Sequence, residues 1–447
     1  MKQIDLLNGP IDSTLIKFAT PLAISFIVNL LYAWIDLYFV SRLGASAVAA
    51  LGISERIWFF TFAVGSGFAV GSGIIIARRI GENKSSTAAG TAIQSVLIMF
   101  FLGIILAGVL HLFLNEIQTL LGIKGKVKEL SAYYFSSLIW GVPFNFLIFQ
   151  INAIIRSSGN SKYPMFILLL SNAVNIILTP IFIFGYGPIE AMGIFGAGLG
   201  TSMSYGFASI FGLYIMFFKS KTFRFNLKYF KFEKEVLIKI AKLGIPASLQ
   251  LIAVSITSMG LAANANIFGT EILSTYIIGL RVDLLVSMSI FAYGASIEII
   301  AGQNMGAGKI DRIFLYQKAA IKQLTILLSI FGIVVFVYGK YLGKFFTDDV
   351  VIIREVSIYL RFAVFGYIPF AIGIIAIRII SGAGDYIRSL KIVFVSLILI
   401  QLPGAYLFSK FFSTHIAIWG MIFVSMSFFS IYGYLQVKQR AWIKIRL

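Results

Sequence analysis

The chain has no cysteine, two histidines, and 18 acidic residues against 37 basic ones in a length of 447. Without cysteine there are no disulfides, no thiol catalysis and no thiolate metal sites. Charge of either sign is scarce. Only 12% of residues are Asp, Glu, Lys or Arg, where a soluble domain carries about 25%. Short segments of alternating polarity, the mark of a membrane β-barrel, do not occur. What the chain has instead is apolar length: it is 59% hydrophobic with mean hydropathy +0.93, and several runs reach about twenty residues or more. Such runs cross a bilayer as helices, whose backbones satisfy their own hydrogen bonds in lipid. The fold class expected is therefore an all-α integral membrane bundle. The opening MKQIDLLNGPIDSTLIKF carries acids and no short apolar core before a cleavage site, so it does not read as a cleaved signal peptide.

A net charge of +19 could suit nucleic acid, but its distribution is that of a topology signal. Over twelve spans, 26 Lys/Arg fall in segments on the side of the N-terminus and 8 in the opposite loops. Three more, Arg56, Arg281 and Arg361, lie within spans. That bias places both termini in the cytoplasm. The basic surface then attracts anionic lipid, and no nucleic-acid partner is expected.

The spans cover approximately residues 14–40, 47–77, 88–113, 130–156, 165–186, 194–218, 244–268, 273–301, 315–342, 352–378, 391–412 and 416–437. In the second, Gly67 and Gly71 have the spacing that lets another helix approach closely; no helix start follows them, as a phosphate loop would need. Between the sixth and seventh spans, Lys219–Lys242 is amphipathic with eight Lys/Arg and reads as a cytoplasmic connection against the membrane surface. The expected organisation is an N-terminal six-helix lobe (1–218), a basic linker (219–243) and a C-terminal six-helix lobe with a basic tail (244–447).

The two lobes are repeats. A shift of 225 residues pairs Pro21 with Pro246, Gly44 with Gly269, Arg56 with Arg281, Gly81 with Gly306 and Lys84 with Lys309. Near-identical shifts pair Pro143 with Pro369 and Gly196 with Gly420. A nearly constant shift landing on turn and cap positions is the signature of duplication. Two parallel six-helix repeats suit alternating access about a site near mid-membrane.

Asp36 is the residue that most needs explaining. An ionised carboxylate inside a span costs about 2.5–3.5 kcal/mol on insertion scales, so the default reading is functional. The bland alternative is an acid near the helix end, hydrated or paired with Arg42. Asn29, Tyr32 and Asp36 stand at i, i+3, i+7 on one face, and Asn172, Asn175 and Thr179 repeat that spacing before Pro180. Asn145, Asn152 and Thr201 add amides and a hydroxyl from the fourth and sixth spans. Converging on Asp36, these groups could bind its proton or a cation; otherwise they are interhelical hydrogen bonds, worth about 0.6 kcal/mol each. In the second half, Glu298 is the candidate for recognising a cationic substrate, with an ion pair to Arg378 as its alternative. Asp283, two residues after Arg281, reads as a solvated or locally paired acid near the outer end. Tyr32, Trp34, Phe149, Met288 and Tyr293 could line an apolar cavity. No catalytic or metal-binding residues are expected: His111 and His415 stand apart from any acid cluster, so an intramembrane enzyme lacks its nucleophile–base pair.

With these features assembled, the sequence resembles the multidrug and toxic compound extrusion (MATE) family along essentially its whole length. The resemblance rests on P…WIDLYFVSRLGASAVAALG in the first span, RSSGNSKYP after the fourth and NIILTPIFIFG with GIFGAGLGTSMS across the fifth and sixth. QNMGAGK after the eighth completes it. It implies a V-shaped, twelve-helix transporter in a prokaryotic plasma membrane. Such a transporter exports cationic or amphipathic compounds in exchange for H⁺ or Na⁺, with no cofactor, as a monomer. The family's coupling acid falls on Asp36 and its polar network on Asn29, Asn152, Asn175 and Thr201. Two departures matter. Thr179 stands where many members have Asp before the proline, leaving one acid rather than two. The acids that the Na⁺-coupled branch carries on helices 7 and 10 are missing from Gly244–Phe268 and Phe362–Ile377, which favours H⁺ as the coupling ion. A lipid-linked oligosaccharide flippase shares the helical plan, but would be expected to line its cavity with more Arg and Lys than the three within these spans.

Overall fold

A computed structural model describes residues 3–219 and 230–445; the middle of the basic connection, 220–229, lies outside the described residues. Among the described residues, twelve helices long and apolar enough to cross a membrane follow one another. They are α1 (Ile11–Ser41), α2 (Ala45–Gly81), α3 (Ser85–Leu120), α4 (Gly125–Ser157), α5 (Lys162–Phe184) and α6 (Gly193–Lys219). The second set is α7 (Lys234–Asn266), α8 (Thr270–Gly306), α9 (Ile310–Phe346), α10 (Val350–Gly382), α11 (Tyr386–Phe411) and α12 (Ile416–Lys438). The protein is thus an all-helical, multi-pass membrane protein. Many helices run past the apolar spans read from sequence; α2, α8 and α9 reach 37 residues each, about 55 Å at 1.5 Å per residue.

The duplication is visible in the backbone. The turn into α2 is made at Gly44 with φ +102°, and the turn into α8 at Gly269 with φ +113°. The turn after α2 uses Asn83 (φ +59°), and its mate 225 residues on is Gly308 (φ +70°). Gly159 and Gly384, again 225 apart, have φ +84° and +99°. L-residues other than glycine and asparagine rarely adopt this region, so the turn chemistry repeats because the turn geometry does.

The chain divides into two compact units. One contains Ile24–Ser248; the other contains Asp5–Ala23 and Leu249–Leu447. Helices α1 and α7 each pass from one unit to the other two residues beyond a proline, Pro21 in α1 and Pro246 in α7. Proline lacks an N–H and interrupts the helical ladder at those points.

The first unit is centred on Val40, Leu51, Ile57, Phe135, Leu138, Val142, Phe146 and Ala197. Within it, Gly67 and Gly71 on α2 lie against Gly244 on the first part of α7. A Cβ on Gly67 would stand 2.6 Å from the Ser248 amide nitrogen and 2.8 Å from the Gly244 oxygen. Helix α7 begins ten residues before the apolar stretch suggests, because Val236, Ile240 and Leu243 are buried at helical spacing and extend its packed face. The chain just before α7 is tied down: Gln94 Nε2 donates to the Glu233 carbonyl (2.9 Å) and the Glu233 amide donates back to Gln94 Oε1 (3.2 Å). Arg79 stands 3.7 Å from the Glu233 carboxylate.

The second unit is built around Tyr276, Tyr359 and Trp419. Tyr276 stacks on Trp419 at 5.9 Å, and Tyr359 meets the same indole edge-on at 4.8 Å. The N-terminal segment docks here too. The Leu6 carbonyl accepts from Asn304 Nδ2 (3.2 Å) and Tyr316 Oη (3.3 Å), and the Gly9 carbonyl accepts from Arg312 (2.6 Å).

The Gly67 contact leads to a prediction. Gly67→Val should lower stability by about 1–3 kcal/mol, because backbone atoms on α7 cannot yield. Gly108→Val, at a position with open space around it, should be near neutral. Thermal unfolding of both purified variants in detergent checks this; equal midpoints would refute the close-packing role.

Candidate functional site

Asp36 lies five residues from the C-terminal end of α1, about 8 Å along the axis, yet it is only 8% exposed. Its Oδ1 is buried without a hydrogen-bond partner. Arg42, the partner that would have made it a plain surface pair, turns instead to Tyr38. Its Nη2 donates to the phenol oxygen at 2.7 Å and the guanidinium lies 5.0 Å from the ring centroid. One turn before Asp36, Tyr32 Oη lies 3.4 Å from Thr201 Oγ1 on α6. From there a chain of bonds runs across the unit: Asn175 Nδ2 donates to Thr201 Oγ1 (3.0 Å), and Thr179 Oγ1 donates to Asn175 Oδ1 (2.8 Å). Close helix packing makes the chain possible, since a Cβ on Gly200 would meet Thr179 Oγ1 at 2.7 Å.

The structure thus joins Tyr32, Asn175, Thr179 and Thr201 into one hydrogen-bonded chain, one turn from Asp36. Asn29 and Asn152 stand apart from it. Asn29 is exposed. Asn152 is buried, with its Oδ1 unpartnered and its carbonyl accepting from Arg156 Nε (3.2 Å). Asn145 Oδ1 and Asn172 Nδ2 are likewise buried and unpartnered. Two phenols that the sequence reading did not single out, Tyr134 on α4 and Tyr205 on α6, lie within electrostatic range of Asp36. So does Glu55 on α2. Glu55 sits in ISERIW, inside a span, and its position there was the signal that could have found it.

The second unit arranges its acids differently from the sequence reading. Glu298 on α8 is 3% exposed and fully engaged. Arg378 Nη1 donates to both carboxylate oxygens (3.2 and 3.1 Å) and Tyr386 Oη donates to Oε1 (2.7 Å). The ion pair with Arg378, held open in the sequence as the alternative to a substrate contact, is present. Tyr293 and Met288 are half-buried on α8.

Asp283 is neither at the helix end nor paired with Arg281. It stands thirteen residues into α8, about 20 Å from its start. It accepts from Tyr359 Oη at 2.6 Å and from Tyr367 Oη at 2.8 Å, both on α10. Arg281 lies over Phe346, 5.9 Å from its centroid. Tyr359 and Tyr367 carried no signal of their own among 20 tyrosines; only the pairing of α8 with α10 selects them.

A duplicated bundle of twelve membrane helices, with a buried acid and a polar chain in one unit and two further acids in the other, has the features of a membrane transporter. Comparison with known proteins supplies the family. The MatE family model matches residues 21–181 and again 246–407, one match in each repeat, and the chain belongs to that family. It is 26% identical over 429 residues to the probable multidrug resistance protein YoeA of Bacillus subtilis, covering 94% of this chain and 92% of that protein. It is 25% identical over 416 residues to the multidrug export protein MepA of Staphylococcus aureus, covering 93% and 91%. Among solved structures, a MOP superfamily transporter from Pyrococcus furiosus superposes with a TM-score of 0.93 at 24% identity, covering 100% of this chain and 99% of that one. A MATE transporter in the straight conformation does so at 0.92, covering 98% of each. At that identity the structures establish the fold alone.

The buried Glu298–Arg378 pair sets a test. Arg378→Leu leaves an uncompensated carboxylate and should cost about 3–5 kcal/mol, whereas replacing both residues by apolar ones should recover most of that loss. Thermal unfolding of the single and double variants reads the difference. A single variant as stable as wild type would show that the pair does not hold the unit together.

Proposed function

We propose that the protein is a secondary antiporter that exports lipophilic or cationic small molecules from a prokaryotic cytoplasm in exchange for protons, by alternating access. The observation that carries this reading is Asp36: an intramembrane carboxylate, 8% exposed, with a free oxygen beside a chain of phenol, amide and hydroxyl groups. The descriptions of YoeA and MepA as multidrug proteins support the substrate class.

Exchange follows from what one proton does to a carboxylic acid. Ionised, Asp36 is an acceptor with a negative charge that attracts a cation; protonated, it is neutral and gains a donor. Carrying the ionised form through apolar surroundings costs about 2.5–3.5 kcal/mol, so the protonated form is the cheaper one to move. Protonation from outside changes the hydrogen bonds open to Asp36 near Tyr32, α1 shifts, and affinity for the cation falls. Release of the proton to the cytoplasm resets the charge. A proton needs one carboxylate. Sodium needs several oxygens at once.

In proteoliposomes, an imposed pH gradient should drive ethidium transport, and a Na⁺ gradient alone should not. Asp36→Asn should reduce the pH-driven flux to that of protein-free vesicles while leaving expression and unfolding temperature unchanged. Near-wild-type flux in that variant would sink the coupling role.

The basic bias of their side supports a cytoplasmic location for both termini. The chain contains no cysteine, so single cysteines report topology directly. Ser85→Cys and Gln439→Cys, both at exposed positions, should react with an impermeant maleimide only after the membrane is opened. Lys124→Cys and Ser413→Cys should react in intact cells. The reverse pattern would invert the orientation.

A further inference from the structure

We propose that Asp283, held between Tyr359 and Tyr367, anchors the positive charge of an organic cation within the second unit. The inference rests on the export reading above and adds a substrate site that this reading leaves open.

The site is built rather than incidental. Gly279 stands one turn before Asp283 on α8, and a Cβ there would lie 2.3 Å from the Tyr359 ring. The glycine makes the slot through which Tyr359 reaches the carboxylate. Tyr359 is fixed from behind by Trp419, edge-on at 4.8 Å, and by Tyr276 at 6.2 Å. Tyr367 closes on the other carboxylate oxygen. Two phenol donors, one per oxygen, hold the carboxylate in one orientation.

Among the described residues that carboxylate has no cation of its own, and no lysine or arginine pairs with Asp283: Arg281 lies over Phe346, Arg361 lies over Phe336, and Arg378 serves Glu298. The two acids of α8 therefore differ in kind. Glu298 is buried and neutralised; Asp283 is only partly buried, has no basic partner among the described residues, and keeps lone pairs beyond its two phenols. Next to it the surface turns aromatic. Phe370 follows Tyr367 by three residues, on the adjoining face of α10, and pairs edge-to-face with Phe291 of α8 at 6.0 Å. Both rings are half-buried. An anion beside aromatic rings is the chemistry that binds a lipophilic cation, with the charge on the carboxylate and the apolar body on the rings.

The test is binding to the purified full-length protein in detergent. Ethidium is the cationic probe, and N-phenylnaphthylamine is an uncharged probe of similar character. Asp283→Asn should weaken ethidium affinity by about tenfold or more, with uncharged-probe affinity unchanged. Tyr367→Phe, which removes one donor and keeps the ring, should weaken ethidium by a smaller factor in the same selective way. Wild-type ethidium affinity in Asp283→Asn, within about twofold, would overturn the proposal. So would equal loss of both probes, which marks a structural role, or loss of proton-driven flux at unchanged ethidium affinity, which marks a proton carrier. Absence of saturable ethidium binding by the wild-type protein would instead refute the cationic-export reading, and this site with it.

Discussion

Charge that must be held away from water, inside a bundle of apolar helices, governs how this protein is arranged. Three acids drawn into the bundle are handled in three different ways. Glu298 is matched by Arg378 and a tyrosine. Asp283 is held by two phenols and left without a countercharge. Asp36 is buried with one oxygen unpartnered. The first arrangement fixes structure, because removing either partner strands the other. The other two leave carboxylate oxygens with acceptor capacity to spare, which is what the proposed proton and cation sites require.

Those arrangements depend on close helix packing, and glycine provides it. Gly67 lets α7 lie on α2, Gly200 lets α5 and α6 share Thr179, and Gly279 makes space for Tyr359. In lipid there is little hydrophobic drive between helices, so small residues that bring backbones together do much of the work. The same glycines place hydroxyls and amides within bonding distance across helices. Packing and polar chemistry are therefore specified by the same positions, and a substitution chosen to disturb one disturbs the other.

The twelve helices, the duplication and the acid in the first span were legible in the sequence because each leaves a local or periodic trace. Apolar runs mark spans, and a constant shift of 225 marks the repeat, which the paired left-handed turns at Gly44 and Gly269 repeat in the backbone. Helical spacing grouped Tyr32 with Asp36 and Asn175 with Thr179. Less legible were Asn29 and Asn152, which share the right spacing but stand outside the bonded chain. A face of a helix says which residues point the same way, and not how far a partner lies from them.

Composition and order alone determined the class of this protein: a bundle of membrane helices, built twice, with scarce charge and an acid where lipid makes acids costly. These follow from the chain because hydrophobic length and repeat spacing act locally. Tertiary structure alone decided which acid is neutralised and which is free. Glu298 and Asp283 lie on one helix, and reading along the chain ranks Glu298 as the substrate contact and Asp283, two residues after Arg281, as the solvated or locally paired acid. The pairing of α8 with α10 settles it by setting Arg378 against one and two tyrosines against the other. Coulombic and hydrogen-bond energies fall off within a few ångströms, so the side chain that comes within that range, and not the one nearest in sequence, decides the fate of a buried charge.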